Sequence, residues 1–282
     1  MFQEFMERYS KKQKKSWHYD EREVNKFLSH WFQRKASSIA RHEVQALHEK
    51  IHDENGLYQA NRLLERIRAI YNKAIEWEWQ GSNPTIGIKK FKEKSRDRFM
   101  KRDELPRFFE ALSKEENETA KDYILVSLLT GARKSNVLAM RWREINFTTK
   151  EWRIPDTKNG EAHTVPLSDR LIEILKARHD AKSGEYVFPG SGKNGHLADP
   201  KKAWKRVLDR AGITDLRIHD LRRTLGSWQA ATGATTAIIG KVLGHKSPLA
   251  TKIYERLDLD PVRAAVEMAQ DAMFATIRNP VK

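Results

Sequence analysis

A chain of 282 residues with 53 Lys and Arg against 38 Asp and Glu carries a formal charge of +15, so the expected partner is an anionic polymer. Zero Cys excludes disulfides, thiolate nucleophiles and Cys-based zinc sites, and without an HExxH-type ligand spacing the default is chemistry that needs no metal and no cofactor. A mean hydropathy of -0.74, no run of about 18 apolar residues and an N-terminus without an apolar signal core exclude membrane spans and predict a soluble, intracellular protein of two domains.

Residues 1–88 read as a bundle of short helices. In EREVNKFLSHWF, Val24, Phe27, Leu28, Trp31 and Phe32 recur at helical steps. ASSIARHEVQALHEKIHDENG predicts a helix capped near Ser37 or Ser38, with Val44, Leu47 and Ile51 inward and Gly56 as its stop. LYQANRLLERIRAIYNKAIEWEW follows, with Leu57, Leu63, Leu64, Ile67, Ile70, Tyr71, Ala74 and Trp77 at the same spacing. Trp31 and Trp77 are expected in the core. The polar faces hold Lys11, Lys12, Lys14, Lys15, Arg62 and Arg66, which together can sit on phosphates, although a short basic run is as often a solvated face.

From Ile86 the periodicity lapses and charge is dense. Residues 89–101, with Lys89, Lys90 and Lys92, read as a basic interdomain linker able to lie along a DNA backbone. The second domain is expected over 102–282. DELPRFFEAL and KDYILVSLLTG predict two helices, the second stopped by Gly131, and SNVLAMRW a third. Arg133 then sits at a tight turn with its fork available to a phosphate, or caps the preceding helix.

TKEWRIPDTKNGEAHTVPLS alternates polar and apolar residues around Lys158-Asn159-Gly160, a hairpin signal. A lysine at a hairpin tip is by position alone a solvated one. SDRLIEILKARHDA predicts a helix capped by Ser168, and a further helix holds Trp204, Val207 and Leu208. GSGKNG lacks the strand-then-GK[ST] context of a nucleotide loop and reads as a flexible connection.

His219 and Arg222 stand one helical turn apart, and His245 falls just past a helix closed by Gly244. Tyr254 lies nine residues further on, and a last helix opens at Asp260 and Pro261. Its apolar stripe, Val262, Ala265, Val266, Ala269, Met273 and Phe274, is suited to folding back or to docking on a neighbouring subunit. Singly, each polar residue has a plain structural role. Two imidazoles and a guanidinium around a phenol, taken together, suit a phosphate better than an apolar core.

TGARKSNVLAMRW, TKNGEAHTVPLS, HDLRRT, LGH and the later tyrosine occur in the order and at the spacings of the tyrosine recombinases, the phage-type integrases of prophages and genomic islands, which the chain resembles strongly over about residues 100 to 260. The resemblance implies a mainly α fold with a small β-hairpin or sheet: an N-terminal helical, SAM-like core-binding domain and an α+β catalytic domain. It implies roles for Arg133 and Arg222 as phosphate-holding arginines, Lys158 as the hairpin lysine, His219 as the first residue of the HxxR pair, His245 as the later histidine and Tyr254 as nucleophile. Asn136 stands where many relatives carry an acidic residue. Many also carry an arm-binding domain ahead of the core-binding one, and the expectation is a sequence without it, either a piece of a longer protein or a member that lacks that domain.

The implied activity is integration or excision of a mobile element through a 3′-phosphotyrosyl intermediate. A type IB topoisomerase and a non-catalytic DNA-binding regulator are the alternatives. The implied partners are double-stranded attachment sites, a homo-tetramer built on DNA through the C-terminal helix, and directionality and DNA-bending proteins; the implied place is the cytoplasm, on the nucleoid. The chemistry is consistent with those roles. A phenol with a pKa of about 10 must lose its proton as it attacks phosphorus, with His219 the natural acceptor. Forked donors meet the charge of the transition state, and Lys158 can protonate the leaving 5′ oxygen.

Overall fold

The computed structural model describes residues 1–155, 161–181, 184–192, 194–256, 266–268 and 270. The chain divides into two compact units, Met1–Ser95 and Arg96–Lys282. No helix among the described residues is long and apolar enough to cross a membrane.

In the first unit α1 (Phe2–Phe5) runs through a π-type turn at Met6–Ser10 into α2 (Lys11–Gln13), followed by α3 (Trp17–Leu28), α4 (Arg41–Asn55) and α5 (Leu57–Glu76). The predicted stripe buries Val24, Leu28, Val44, Ile51, Leu63, Leu64, Ile67, Ile70, Tyr71 and Ala74. It does not reach Phe32: α3 ends at Leu28, a 3-10 turn covers Ser29–Trp31, and Phe32 is left exposed. Trp31 is buried as expected, and Trp77 packs against the core with the Arg8 guanidinium 4.1 Å from its ring centre.

The cap expected at Ser37 or Ser38 lies at Ala40. Glu43 reaches back to accept from the Ala40 N–H at 2.9 Å, and Arg34 clamps that carboxylate and donates to the Ser38 carbonyl at 2.9 Å. A carboxylate in the first turn satisfies an orphan donor as a serine would. Gly56 stops α4 with φ +86, a conformation that favours glycine.

Several cations read as phosphate contacts are held by acids. The buried Asp20 accepts from Ser10 (2.8 Å), Lys14 (2.7 Å) and Arg66 (2.8 Å). Lys11 pairs with Glu7, Arg62 with Glu65 at 2.8 Å, and Lys90 with Glu65 at 2.7 Å. Lys12, Lys15, Lys89 and Lys92 are exposed. The stretch 89–101 falls on both sides of the division. Asn61, fully buried, donates to the Phe91 carbonyl and accepts from the Phe91 N–H, and the Phe91 ring lies on His48 and His52. Met100 is buried in the second unit, its N–H donating to Thr224 Oγ1 at 2.9 Å.

The second unit carries α6 (Glu104–Ser113), α7 (Glu118–Thr130) and α8 (Lys134–Leu138), then β1 (Ile145–Asn146), β2 (Glu151–Ile154) and β3 (His163–Pro166) in an antiparallel sheet of order β1-β2-β3. After the sheet come α9 (Asp169–Asp180), α10 (Lys201–Ala211), α11 (Asp220–Ala231), α12 (Thr236–Leu243), α13 (Pro248–Thr251) and a 3-10 turn, Lys252–Arg256. One core gathers Phe108, Tyr123, Ile124, Val126, Val137, Trp152, Val165, Leu171, Leu175, Phe188, Trp204 and Leu221. α7 is apolar on most faces because it runs through this core. Ser168 caps α9 as predicted, accepting from the Leu171 N–H.

The hairpin pairs Ile154 with His163, so Trp152, Ile154 and Val165 point inward. Its tip, with Lys158, Asn159 and Gly160, lies outside the described residues, as do Asp260, Pro261, Val262, Ala265, Ala269, Met273 and Phe274 of the expected last helix; Val266 is described and exposed.

Candidate active site

Three chain reversals converge on the C-terminal turn of α12. The first is the end of α7, where Gly131 adopts φ +60 and a Cβ would come within 2.7 Å of Leu243 and 2.9 Å of Leu225. That tight turn sets Arg133 at the start of α8, half-buried, with Nη2 3.4 Å from the Gly244 carbonyl.

The second reversal opens α11. Asp220, almost fully buried, accepts from the Arg217 N–H at 2.8 Å and from the Arg96 guanidinium at 2.8 and 3.1 Å. The loop before the helix is thereby fixed, with His219 at its mouth and Arg222 one turn in. Arg222 is buried. Its Nη1 donates to the Gly131 carbonyl at 2.8 Å and its Nη2 to the Leu243 carbonyl, so one guanidinium ties the ends of α7 and α12 together. Burial and the neighbouring Arg133 charge bring its pKa down to about 10, which keeps it a cation at neutral pH.

The third reversal follows α12. Gly244 adopts φ +63, and the His245 N–H returns to the Gly240 carbonyl at 2.9 Å, a glycine stop of the Schellman kind. His245 Nδ1 lies 2.9 Å from the hydroxyl of the buried Thr251. Thr251 packs at Gly240, where a Cβ would meet its Oγ1 at 3.1 Å. The Tyr254 ring lies parallel to that of His245 with centres 6.3 Å apart, and at Gly226 a Cβ would strike it at 2.6 Å. Only a glycine there leaves room for the ring. Tyr254 is 4% exposed, and burial raises its phenol pKa against the pull of Arg222 and Arg223.

Arg133, His219, Arg222, His245 and Tyr254 thus share one region of the second unit. Arg222 and Arg133 act together on His219 and His245, and the Arg222 charge also acts on Tyr254. His163, on β3, joins the cluster, its Nε2 3.1 Å from the Val242 carbonyl. The Asn136 N–H donates to the Arg133 carbonyl at 2.9 Å, which helps hold that turn.

Sequence reasoning gave no role to His163, Asp220, Gly226 or Thr251. Only His163 had a signal: two residues before Val165, it shares the strand's inward face, an unusual place for an imidazole in a plain surface hairpin.

Burial and the two arginines hold His245 down at about 4, and His219 and His163 are shifted the same way, burial first. Once unfolded, all three return to about 6.5. Between those values the unfolded chain binds more protons, so stability that is complete above about pH 6.5 is lost as pH falls toward about 4. The expected loss from pH 7 to pH 5 is about 1–2 kcal/mol in urea unfolding, allowing for partial solvation. His245→Asn should flatten that slope; an unchanged slope would remove His245 as its source.

A family model described as the phage integrase family matches residues 98–260. Prophage integrase IntF of Escherichia coli K12 is 32% identical over 59% of this chain and 37% of its own. The chain spans 37% to 52% of the length of the first curated relatives it matches. Two solved lambda integrase complexes share the fold. One is a dimer bound to a COC′ core site, with TM-score 0.71, 17% identity, and 87% of this chain and 95% of that one covered. The other is a tetramer bound to a Holliday junction, with TM-score 0.71, 15% identity, and 90% and 76% covered.

Proposed function

The chain belongs to the phage integrase family, and we propose that it is a site-specific DNA recombinase that cuts and rejoins strands through a 3′-phosphotyrosyl link on Tyr254. One observation carries the reading: two guanidiniums from separate helix ends meet on the same turn of α12, beside two imidazoles held neutral and a phenol. A cation pair with no carboxylate between its members among the described residues suits an anion that arrives from outside, and a phosphodiester has the oxygens to receive both forks.

In this reaction the Tyr254 oxygen attacks phosphorus as its proton passes to His219. The bond from phosphorus to the 5′ oxygen breaks, and the leaving oxygen takes a proton, a role we give to Lys158. Arg133, Arg222 and His245 meet the charge on the non-bridging oxygens. The phosphotyrosyl ester then gives its phosphorus to an incoming 5′-hydroxyl, so strands rejoin without a nucleotide cofactor. His245 suits its task because Thr251 occupies Nδ1 and leaves Nε2 to face the phosphate.

The first unit is read as the core-binding half of the clamp, with Lys12, Lys15, Lys89 and Lys92 as its exposed phosphate contacts and Lys11, Lys14, Arg62, Arg66 and Lys90 exchanging an acidic partner for DNA. Strand exchange between two duplexes takes several protomers. A homo-tetramer joined through the C-terminal helix, assisted by directionality and DNA-bending proteins on nucleoid DNA, completes the proposal; lambda integrase has been solved as a tetramer on a Holliday junction.

Labelled duplexes from the flanks of its own gene provide the test. The expected result is a protein–DNA adduct that survives denaturant. DNA bound tightly yet left intact after long incubation would mark a regulator instead, and relaxation of plasmids lacking any such site would mark a topoisomerase.

A further inference from the structure

Val242, Leu243 and Gly244 bring α12 to its end with three successive carbonyls, and a side chain from a different place in the unit reaches each. Arg133 Nη2 approaches the Gly244 carbonyl at 3.4 Å, Arg222 Nη2 donates to that of Leu243, and His163 Nε2 lies 3.1 Å from that of Val242. Carbonyls in a last turn have no intrahelical donor and carry the negative end of the helix dipole, so strong donors gather there.

Two of these three donors are the guanidiniums of the proposed phosphate site. The third comes from β3. Its ring is closely seated: a Cβ at Gly244 would fall 3.1 Å from both His163 Nε2 and Cδ2. Burial, helped by Arg222 and Arg133, shifts the imidazole toward its neutral form against the opposing pull of the Val242 carbonyl, and in a neutral ring the nitrogen facing a carbonyl is the one that carries the proton.

We propose that His163 is a positioning residue of the strand-cleaving site: it holds the Val242 carbonyl and so fixes the turn that aims Arg133, Arg222 and His245, an assignment resting on the recombinase reading above. Without it, that carbonyl turns to water and the turn gains room to shift where the Gly244 and Leu243 carbonyls orient the two forks. His245 follows directly from that turn, its N–H bound back to Gly240. Small misalignments of donors around phosphorus are costly because the transition state rewards geometry rather than charge alone.

The test compares His163→Ala and His163→Gln in the full chain, on a nicked duplex from the gene's own flank at which the wild type forms its adduct. His163→Ala is expected to lower the single-turnover cleavage rate at saturating DNA about tenfold, with the half-saturating DNA concentration unchanged and the melting temperature down by no more than about 5 °C, the loss of one hydrogen bond. Amide exchange at Gly244 and His245 should quicken in the same variant. His163→Gln, whose amide can donate to the same carbonyl, should restore both readouts to within about twofold.

Wild-type cleavage by His163→Ala would overturn the proposal, as would a His163→Gln protein no better than the alanine variant, or a rate loss that disappears once the rate is corrected for the fraction of the variant that is folded. A wild-type chain that forms no adduct on any flank duplex would sink the recombinase reading instead. Amide exchange would then decide by itself whether His163 holds the turn.

Discussion

Tyr254→Phe should abolish the covalent DNA adduct while DNA affinity stays within about twofold of wild type, because the substitution removes one oxygen and leaves the ring's packing intact. The ring rests on Gly226 and beside His245, and it joins Ile239 and Leu243 in a small buried cluster. Phenylalanine fills the same space, so the fold has no reason to change. The chemistry has. No thiol exists anywhere in the chain, and a serine or threonine hydroxyl would need a base of its own.

The buried phenol, with its pKa pushed up, is a poor nucleophile in the DNA-free protein. It becomes one only if its proton has somewhere to go as the oxygen meets phosphorus. His219, held neutral by burial and by Arg222, Arg223 and Arg133, is the acceptor in the mechanism proposed above. On nicked duplexes, which trap the intermediate by losing the rejoining strand, wild type should accumulate adduct and Tyr254→Phe none. Adduct formed by the phenylalanine variant would reassign the nucleophile.

The sequence made the order of the described elements and the candidate polar side chains legible because both are local matters. Gly131 and Gly244 stop their helices where a helix period ends, and His219 and Arg222 are one turn apart whatever surrounds them. Long-range contacts were not legible. The stretch 89–101 looks like a free linker from its charge, yet Asn61 binds the backbone of Phe91 from thirty residues away, and Met100 is fastened to Thr224. No local pattern announces either partner. Ser37 and Ser38 outranked Ala40 as a cap because a cap supplied by Glu43 from inside the helix depends on Arg34 holding the carboxylate. β1, two residues long, is too short for alternation to register. Asp220 lay in the quoted motif and Gly226 two residues beyond it, neither with a role, since one acts by pinning Arg96 and a loop N–H and the other by leaving a space.

Arg222→Lys should cost about 10²–10³ in cleavage rate, although the charge is retained. The guanidinium works here as a bracket. One N–H of Nη1 is spent on the Gly131 carbonyl and one of Nη2 on that of Leu243, which fixes the plane of the fork and leaves the remaining donors for phosphate oxygens. A lysine ammonium can satisfy one of those carbonyls, or lean toward the phosphate, but it has no plane to be fixed. The unmet carbonyl at a buried helix end should lower stability by about 1–2 kcal/mol. DNA affinity should change little, because in the proposed reading most of it comes from other phosphate contacts. The signature is therefore a fall in single-turnover rate at saturating DNA much larger than the shift in half-saturation. Should Arg222→Lys cleave within about threefold of wild type, a point charge would suffice and the bracket would have no part in catalysis.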